Sequence, residues 1–275
     1  MSLKGVAKAT LKILDDGGFA APSGDWIGLR AELDHAVETT RLYTPEQLAA
    51  LLPSNNPQGG SGPRVEVNGD STQVAAHRLV VDQGVGNLVL LNFASARNAG
   101  GGFIKGARAQ EEDLTRCSGL YPCLLSQPAY YQANRAQASL LYTDHMIYSP
   151  AVPWFRTHSR NLLDQVFLAS VITAPAPNAG EVLRRDPGAG SEIEACLRRR
   201  CGMVLAVARD QGHRNVLLGA WGCGVFRNDP ALVSDAFGTW LESAAFAGAF
   251  DNVVFAILTG SRNRSTLEAF ENRFR

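Results

Sequence analysis

Cysteine is scarce in this chain, with five residues in 275. Cys117, Cys123, Cys196, Cys201 and Cys223 are an odd number of scattered thiols, and no CxxC occurs. That excludes a disulfide framework and a paired zinc site, and reads as free buried thiols in a reducing compartment. Charge of one sign is not in excess either: Lys and Arg total 26, Asp and Glu total 26, and the formal net charge is zero. The balance removes the drive for tight binding to long nucleic acid, while leaving room for a local basic pocket around a small anion. No apolar run approaches the ~20 residues that cross a bilayer. The opening MSLKGVAKATLKIL has neither the apolar core nor the cleavage site of a secretory leader. The expected location is the cytoplasm, with no membrane partner. Internal repeats and low-complexity tails are missing too.

What is present is an ordinary globular composition. With 275 residues, 45% of them apolar and 19% charged, the chain can bury one large core or two modest ones. The first 55 residues read as helices. Residues 3–14 carry apolar positions at helical spacing and stop at Asp16-Gly17-Gly18, and 26–37 repeat the pattern. Thr44-Pro45-Glu46-Gln47 then supplies a capping threonine, a proline at the first helical position and a glutamine three on from the cap. Residues 53–62, with Asn-Asn, Pro57 and Gly-Gly, form a loop and the best internal boundary. They divide a helical extension at 1–62 from an α/β unit at 63–275.

Beyond Arg64, strands and helices alternate. Strands are predicted at 65–68, 88–93, 146–148, 166–173, 216–218 and 253–258, and helices at 71–81, 110–125, 191–210 and 229–247. The run LVLLNF at 88–93 is apolar almost throughout, as in a strand buried on both faces. Pro150 and Pro153 break the chain between the middle strands. Ser191-Glu192-Ile193-Glu194 reads as a capping box, and Gly212 closes the helix it opens. Strands joined through helices predict an α/β fold: a mixed, largely parallel sheet with helices on both faces.

Two glycine-bearing loops each follow a buried strand and precede a helix: Asn98-Ala99-Gly100-Gly101-Gly102-Phe103 and Gly222-Cys223-Gly224-Val225-Phe226. In open α/β sheets ligands settle beyond the carboxyl ends of the strands, where glycines let a phosphate reach backbone N–H groups. Two such loops can grip a diphosphate from both sides, although each alone also reads as a simple turn. Neither fits GxGxxG, and no GKS or GKT loop occurs, which disfavours a nicotinamide dehydrogenase and a P-loop enzyme. After the first loop comes Gln110-Glu111-Glu112, at a predicted helix start. One reading is electrostatic only: acids there offset the helix dipole by roughly 0.3–1 kcal/mol. The other is chemical. Successive helical residues point ~100° apart, so a single glutamate would carry proton chemistry while the other binds or orients.

The motif Asn98-Ala-Gly-Gly-Gly102, a seven-residue spacer and Gln110-Glu111-Glu112 resembles the GGG…QEE signature of poly(ADP-ribose) glycohydrolases, the bacterial type most closely. LNFASARNAGGGFIKGARAQEEDLTRCSGLYPCL (91–124), IYSPAVPWFR (147–156) and GAWGCGVFRNDP (219–230) resemble that subfamily almost throughout, and the N-terminal helix is similar as well. The resemblance implies a macrodomain-like three-layer α/β/α fold with an N-terminal helical extension. It implies hydrolysis of ribose–ribose bonds from the ends of ADP-ribose polymers, by a monomer, with no metal and no cofactor. Glu112 would be the catalytic acid/base. Glu111 and Asn98 would bind distal-ribose hydroxyls, supported by Gln110. Gly100, Gly101 and Gly102 would line one side of the ligand, and Gly222, Gly224, Val225 and Phe226 would wrap the diphosphate and distal ribose. Asp70 reads either as an adenine contact or as a helix N-cap. The partners implied are poly(ADP-ribose), ADP-ribose and ADP-ribosylated proteins.

Two rival functions share these residues: a reader that binds ADP-ribose without cutting it, and a hydrolase of single ADP-ribose groups on proteins. A metal-dependent or nucleic-acid-processing hydrolase is disfavoured by the lack of ligand clusters and of basic charge. Elsewhere, His145 and His158 read as hydrogen-bonded structural residues. Cys223 reads as packing rather than a nucleophile, because no base stands by it. Arg198-Arg199-Arg200 reads as a solvated helix face, and Phe93, Trp221 and Trp240 as core.

Overall fold

The computed structural model describes residues 2–52, 62–158, 161–258 and 264–275. The expected loop at 53–62 lies almost wholly outside the described residues, as does the side chain of His158. Among the described residues, strands β1 (Gly18–Ala20) and β2 (Trp26–Gly28) pair as a small antiparallel hairpin. Strands β3 (Arg41–Tyr43), β4 (Arg64–Asn68), β5 (Leu88–Phe93), β6 (Met146–His158), β7 (Asn161–Ala174), β8 (Asn215–Leu218) and β9 (Asn252–Ala256) form one sheet in the order β3-β6-β7-β5-β8-β9-β4. The pairs β7–β5, β5–β8, β8–β9 and β9–β4 are parallel; β3–β6 and β6–β7 are antiparallel. This is the mixed, largely parallel sheet expected from the alternation of elements.

Helices α1 (Leu3–Asp16), α2 (Arg30–Thr39), α3 (Pro45–Leu51), α4 (Thr72–His77), α5 (Gln110–Cys117), α6 (Leu120–Leu125) and α7 (Pro128–Ala136) precede β6. Helices α8 (Ala179–Arg185), α9 (Gly190–Asp210), α10 (Pro230–Leu241) and α11 (Ser265–Arg273) follow β7. The period of two along each central strand divides the core into two layers. Val89, Leu91, Val253 and Phe255 pack with Leu197 of α9, Phe237 of α10 and Phe270 of α11. Leu88, Leu90, Val254 and Ala256 pack with Ala75 of α4, Leu114 of α5, Leu120 of α6 and Tyr130 of α7. Each such Val, Leu or Phe contributes roughly 1.5–3 kcal/mol on burial, which is why LVLLNF needs no polar face.

Several local expectations are corrected. The first 55 residues are not all helical: β1, β2 and β3 interrupt them, and β3 joins the edge of the main sheet. Helix α2 starts only at Arg30, because 26–28 pair with 18–20. The predicted helix at 110–125 breaks into α5 and α6 at Ser118-Gly119. There a Cβ on Gly119 would stand 2.5 Å from Leu33 Cδ2 and 3.0 Å from Pro153 Cγ, a packing that only glycine permits. Pro150 and Pro153 do not break the middle of the chain; a register shift between Ser149 and Val152 absorbs them in a long β6–β7 hairpin. Helix α9 begins at Gly190 with Ala189 as its cap residue and no side-chain cap bond, so Ser191 does not open a capping box. Thr44 does: its Oγ1 accepts the Gln47 N–H at 3.4 Å, while Gln47 Oε1 accepts the Thr44 N–H at 2.9 Å. The helix expected over 229–247 stops at Leu241 and is followed by a short 3-10 turn, Ala244–Phe246.

Candidate active site

The carboxyl end of β5 is tied to the start of α5 by one side chain. Gln110 Nε2 donates to the Leu91 carbonyl at 2.8 Å and to Thr72 Oγ1 at 3.2 Å, and Gln110 Oε1 accepts the Phe93 N–H at 2.8 Å. With its amide used on both ends, Gln110 fixes where the next two residues point. Glu111 turns inward and is 2% exposed. Its Oε2 accepts the Ser95 N–H at 2.7 Å and its Oε1 the Asn92 amide at 3.3 Å. Burial pushes the Glu111 carboxyl up to about 8, against the pull of these donors and with a further push from neighbouring Glu112. Glu112 is 8% exposed and borders the cleft, its Oε1 accepting the Gly102 N–H at 2.8 Å.

The triple glycine serves these carboxylates. Gly101 has φ +57°, and a Cβ there would collide with Glu112 Oε1 and lie 3.1 Å from Glu111 Oε2. Gly102 meets Ala107, whose Cβ would stand 2.7 Å from an added methyl. Gly100, at φ +67°, has its Cβ position against Tyr121 and Thr115 rather than the cleft, while its backbone N–H helps to hold the Glu111 carboxylate. The second loop turns at Gly222, φ +73°, where an added Cβ would collide with the Asn228 amide. Asn228 braces the loop by donating to the Pro177 carbonyl at 2.9 Å and the Gly222 carbonyl at 3.1 Å. Gly224 has open space above it, and Val225 is 83% exposed. Phe226 is half-buried, its ring 6.1 Å from that of Tyr142.

Both loops and both glutamates line one cleft of about 1530 Å³. Asn98, Gly101, Gly102, Gln110, Glu111, Glu112, Gly222, Gly224, Val225 and Phe226 all reach it; Gly100 does not. Asp70 is not in the cleft wall. Its carboxylate lies 3.6 Å from Arg78 Nε, and Ser71 holds the cap position of α4, so the N-cap reading of Asp70 is corrected. Phe93 is core on one side and cleft wall on the other.

Sequence reasoning missed several supporting residues. Asn92 is fully buried, bonded to Glu111 and, at 3.2 Å, to Thr173 Oγ1. Its signal was available: a lone amide at the carboxyl end of an otherwise apolar strand. Tyr131 and Tyr142 also line the cleft. Arg200 is not a solvated residue but fully buried, donating to the carbonyls of Pro175 and Tyr142 at 2.9 Å each and pairing with Asp144 at 2.6 Å. It thereby holds Tyr142, at φ +60°, against Phe226. Arg198 and Arg199 are partly exposed and paired, Arg198 with Glu194 and Asp235, Arg199 with Asp144. Cys223 lines the cleft, but burial pushes its thiol up to about 12 and, among the described residues, the thiol's only polar contact is the Trp221 carbonyl, so it is no nucleophile. Trp221 and Trp240 are buried core. His145 is half-buried, with Nδ1 2.9 Å from Thr143 Oγ1.

The comparisons with known proteins agree with this geometry. The microbial-type PARG catalytic domain family matches residues 7–157. Poly(ADP-ribose) glycohydrolase from Thermomonospora curvata is 43% identical, with 99% of each chain covered and a TM-score of 0.92. The same enzyme bound to the inhibitor ADP-HPD superposes with a TM-score of 0.90. The Deinococcus radiodurans enzyme in complex with ADP-ribose is 45% identical over 88% of this chain and 96% of that one, at a TM-score of 0.80. No curated protein sequence matches the chain. With a family match over more than half its length and full-length relatives above 40% identity, the chain belongs to the microbial-type poly(ADP-ribose) glycohydrolases and is a glycosidase of the macrodomain-like α/β class.

Proposed function

We propose that this glycohydrolase cuts the ribose–ribose O-glycosidic bond at the ends of ADP-ribose polymers, with Glu112 as general acid and then general base. The observation that carries the assignment is the fixed pose of Glu112, held by the Gly102 N–H at the cleft wall. As the bond breaks, oxocarbenium character builds on the anomeric carbon and the departing ribose oxygen needs a proton. Protonated Glu112 gives that proton to the leaving oxygen. Its carboxylate then takes one from the water that attacks the anomeric carbon, which restores the acid. Glu111 holds its own proton at neutral pH, being pushed up to about 8. It keeps the pair from carrying two negative charges, and its buried carboxyl can donate to a ribose hydroxyl.

Asn98, exposed at the cleft edge, takes a second hydroxyl of the distal ribose, and the 222–226 loop carries the diphosphate. Phe226, backed by Tyr142, packs on the distal ribose. The relatives support the ligand class: the Deinococcus radiodurans enzyme is seen with ADP-ribose and the Thermomonospora curvata enzyme with the inhibitor ADP-HPD. In this reading residues 1–62 form an extension packed on a catalytic unit at 63–275, and the chain acts as a cytoplasmic monomer on polymer carried by ADP-ribosylated proteins. No helix among the described residues is long and apolar enough to cross a membrane.

The test is Glu112→Gln. Its melting temperature and ADP-ribose affinity should match wild type, while release of ADP-ribose from polymer falls by about 10²–10⁴-fold. A fully active variant removes the assignment. The raised pKa of Glu111 favours one competing assignment, in which Glu111 is the acid; Glu111→Gln losing more activity than Glu112→Gln would select it.

A further inference from the structure

The leaving alcohol must sit against Glu112, so the rest of the leaving unit has to extend over whatever lies beside that carboxylate. Gly102, which binds Glu112, is also the anchor of a tight turn: its carbonyl accepts the N–H groups of Lys105 at 3.0 Å and Ala107 at 3.1 Å. The turn carries Ile104, 49% exposed, with Lys105 and Arg108, all three in the cleft wall. Helix α1 backs it, with the Lys4 backbone N 3.1 Å from the point where a Gly106 Cβ would stand, and Leu3 completes this end of the wall. The side chains of Lys105 and Arg108 are exposed and, among the described residues, make no hydrogen bond or ion pair. Asp113, which also feels the Arg108 charge, is ion-paired to buried Arg116 at 2.6 Å. In a chain of zero net charge, this leaves two cations without an ion-pair partner, among the described residues, in the same cleft wall as the acid. The cleft of about 1530 Å³ also exceeds the roughly 300–1,000 Å³ that houses one small ligand.

We propose that the 103–108 turn, backed by α1, is a leaving-group subsite that holds the adjoining ADP-ribose unit of the polymer, with Lys105 and Arg108 on its diphosphate and Ile104 under its nucleoside. The subsite rests on the glycohydrolase reading and deepens it: it names the side chains that hold the departing unit. Diphosphate oxygens and two cations match in charge, and their interaction weakens with salt.

The experiment compares wild type, the double variant Lys105→Ala/Arg108→Ala and the conservative Lys105→Arg/Arg108→Lys. Three readouts are taken: kcat/KM on purified polymer at low and high salt, Kd for ADP-ribose, and melting temperature. The alanine pair is expected to lose about tenfold or more in polymer kcat/KM, and much of its salt dependence, with Kd for ADP-ribose and stability unchanged. The conservative pair should recover most of the rate. Unchanged polymer kcat/KM in an active enzyme overturns the subsite alone. A parallel loss of ADP-ribose affinity overturns it too, by putting the cations on the bound product. Wild type that releases no ADP-ribose from polymer instead defeats the glycohydrolase reading on which the subsite depends.

Discussion

Gly101→Ala asks whether the triple glycine exists to seat the carboxylates. The backbone there has φ +57°, and a residue with a Cβ in that left-handed region costs roughly 1–2 kcal/mol. At roughly 2–4 °C per kcal/mol for a chain of this size, the melting temperature should fall by about 2–8 °C. The larger consequence is local. The new methyl would collide with Glu112 Oε1, stand 3.0 Å from Glu112 Cδ and 3.1 Å from Glu111 Oε2, so neither carboxylate can absorb it in place. Glu112 must swing off the Gly102 N–H, and a misplacement of ~1 Å costs about 10²-fold in rate. Gly84→Ala is the control, because Gly84 has φ +67° with nothing within 4 Å of an added Cβ. It should lose similar stability and keep wild-type turnover. Initial rates of ADP-ribose release, read beside thermal melts of both variants, decide the matter. Gly101→Ala turning over like Gly84→Ala would refute the reasoning.

The Glu111 proton makes a pH prediction. Because burial, with Glu112 alongside, pushes this carboxyl up to about 8 from its ordinary 4.5, the folded chain binds more protons than the unfolded chain between those values. Stability should therefore fall as pH rises from about 4.5 to about 8. Thermal melts across that window should show a shallower slope for Glu111→Gln than for wild type, and parallel slopes would remove the buried proton. Cys223→Ser should leave polymer turnover near wild type, since the thiol is pushed up to about 12 with no base bonded to it among the described residues. Loss of activity out of proportion to any change in melting temperature would give the cysteine a chemical role.

Local signals read well wherever the chain's own neighbours decide the outcome. LVLLNF is a central strand because both its faces are covered, and Thr44–Gln47 cap a helix because both partners lie within one turn. The strand–glycine–helix order placed both loops at the carboxyl ends of strands, and the acid pair beside the first. What was illegible depends on distant residues. The β6–β7 hairpin accommodates Pro150 and Pro153 through bulges that only the pairing strand defines. Gly119 splits α5 from α6 because Leu33 and Pro153 press on it, a contact between segments far apart in sequence. Arg200 sits in a run of three arginines whose solvation differs by helix face, and only the fold buries the one that holds Tyr142. The contrast between Glu111 and Glu112 has the same origin: adjacent in sequence, they differ because one turns under Ser95 and Asn92 and the other meets Gly102 at the cleft wall.

The most direct measurement is a crystal structure of the wild-type protein with ADP-ribose bound. The expected result has a Glu112 carboxylate oxygen about 2.6–3.2 Å from the oxygen on the anomeric carbon of the distal ribose, the hydrogen-bond reach that proton transfer requires. In the same complex the diphosphate should lie along the 222–226 loop. Glu111 alone reaching that oxygen, or a diphosphate bound away from both glycine loops, would contradict the assignment of Glu112 as the acid of this cleft.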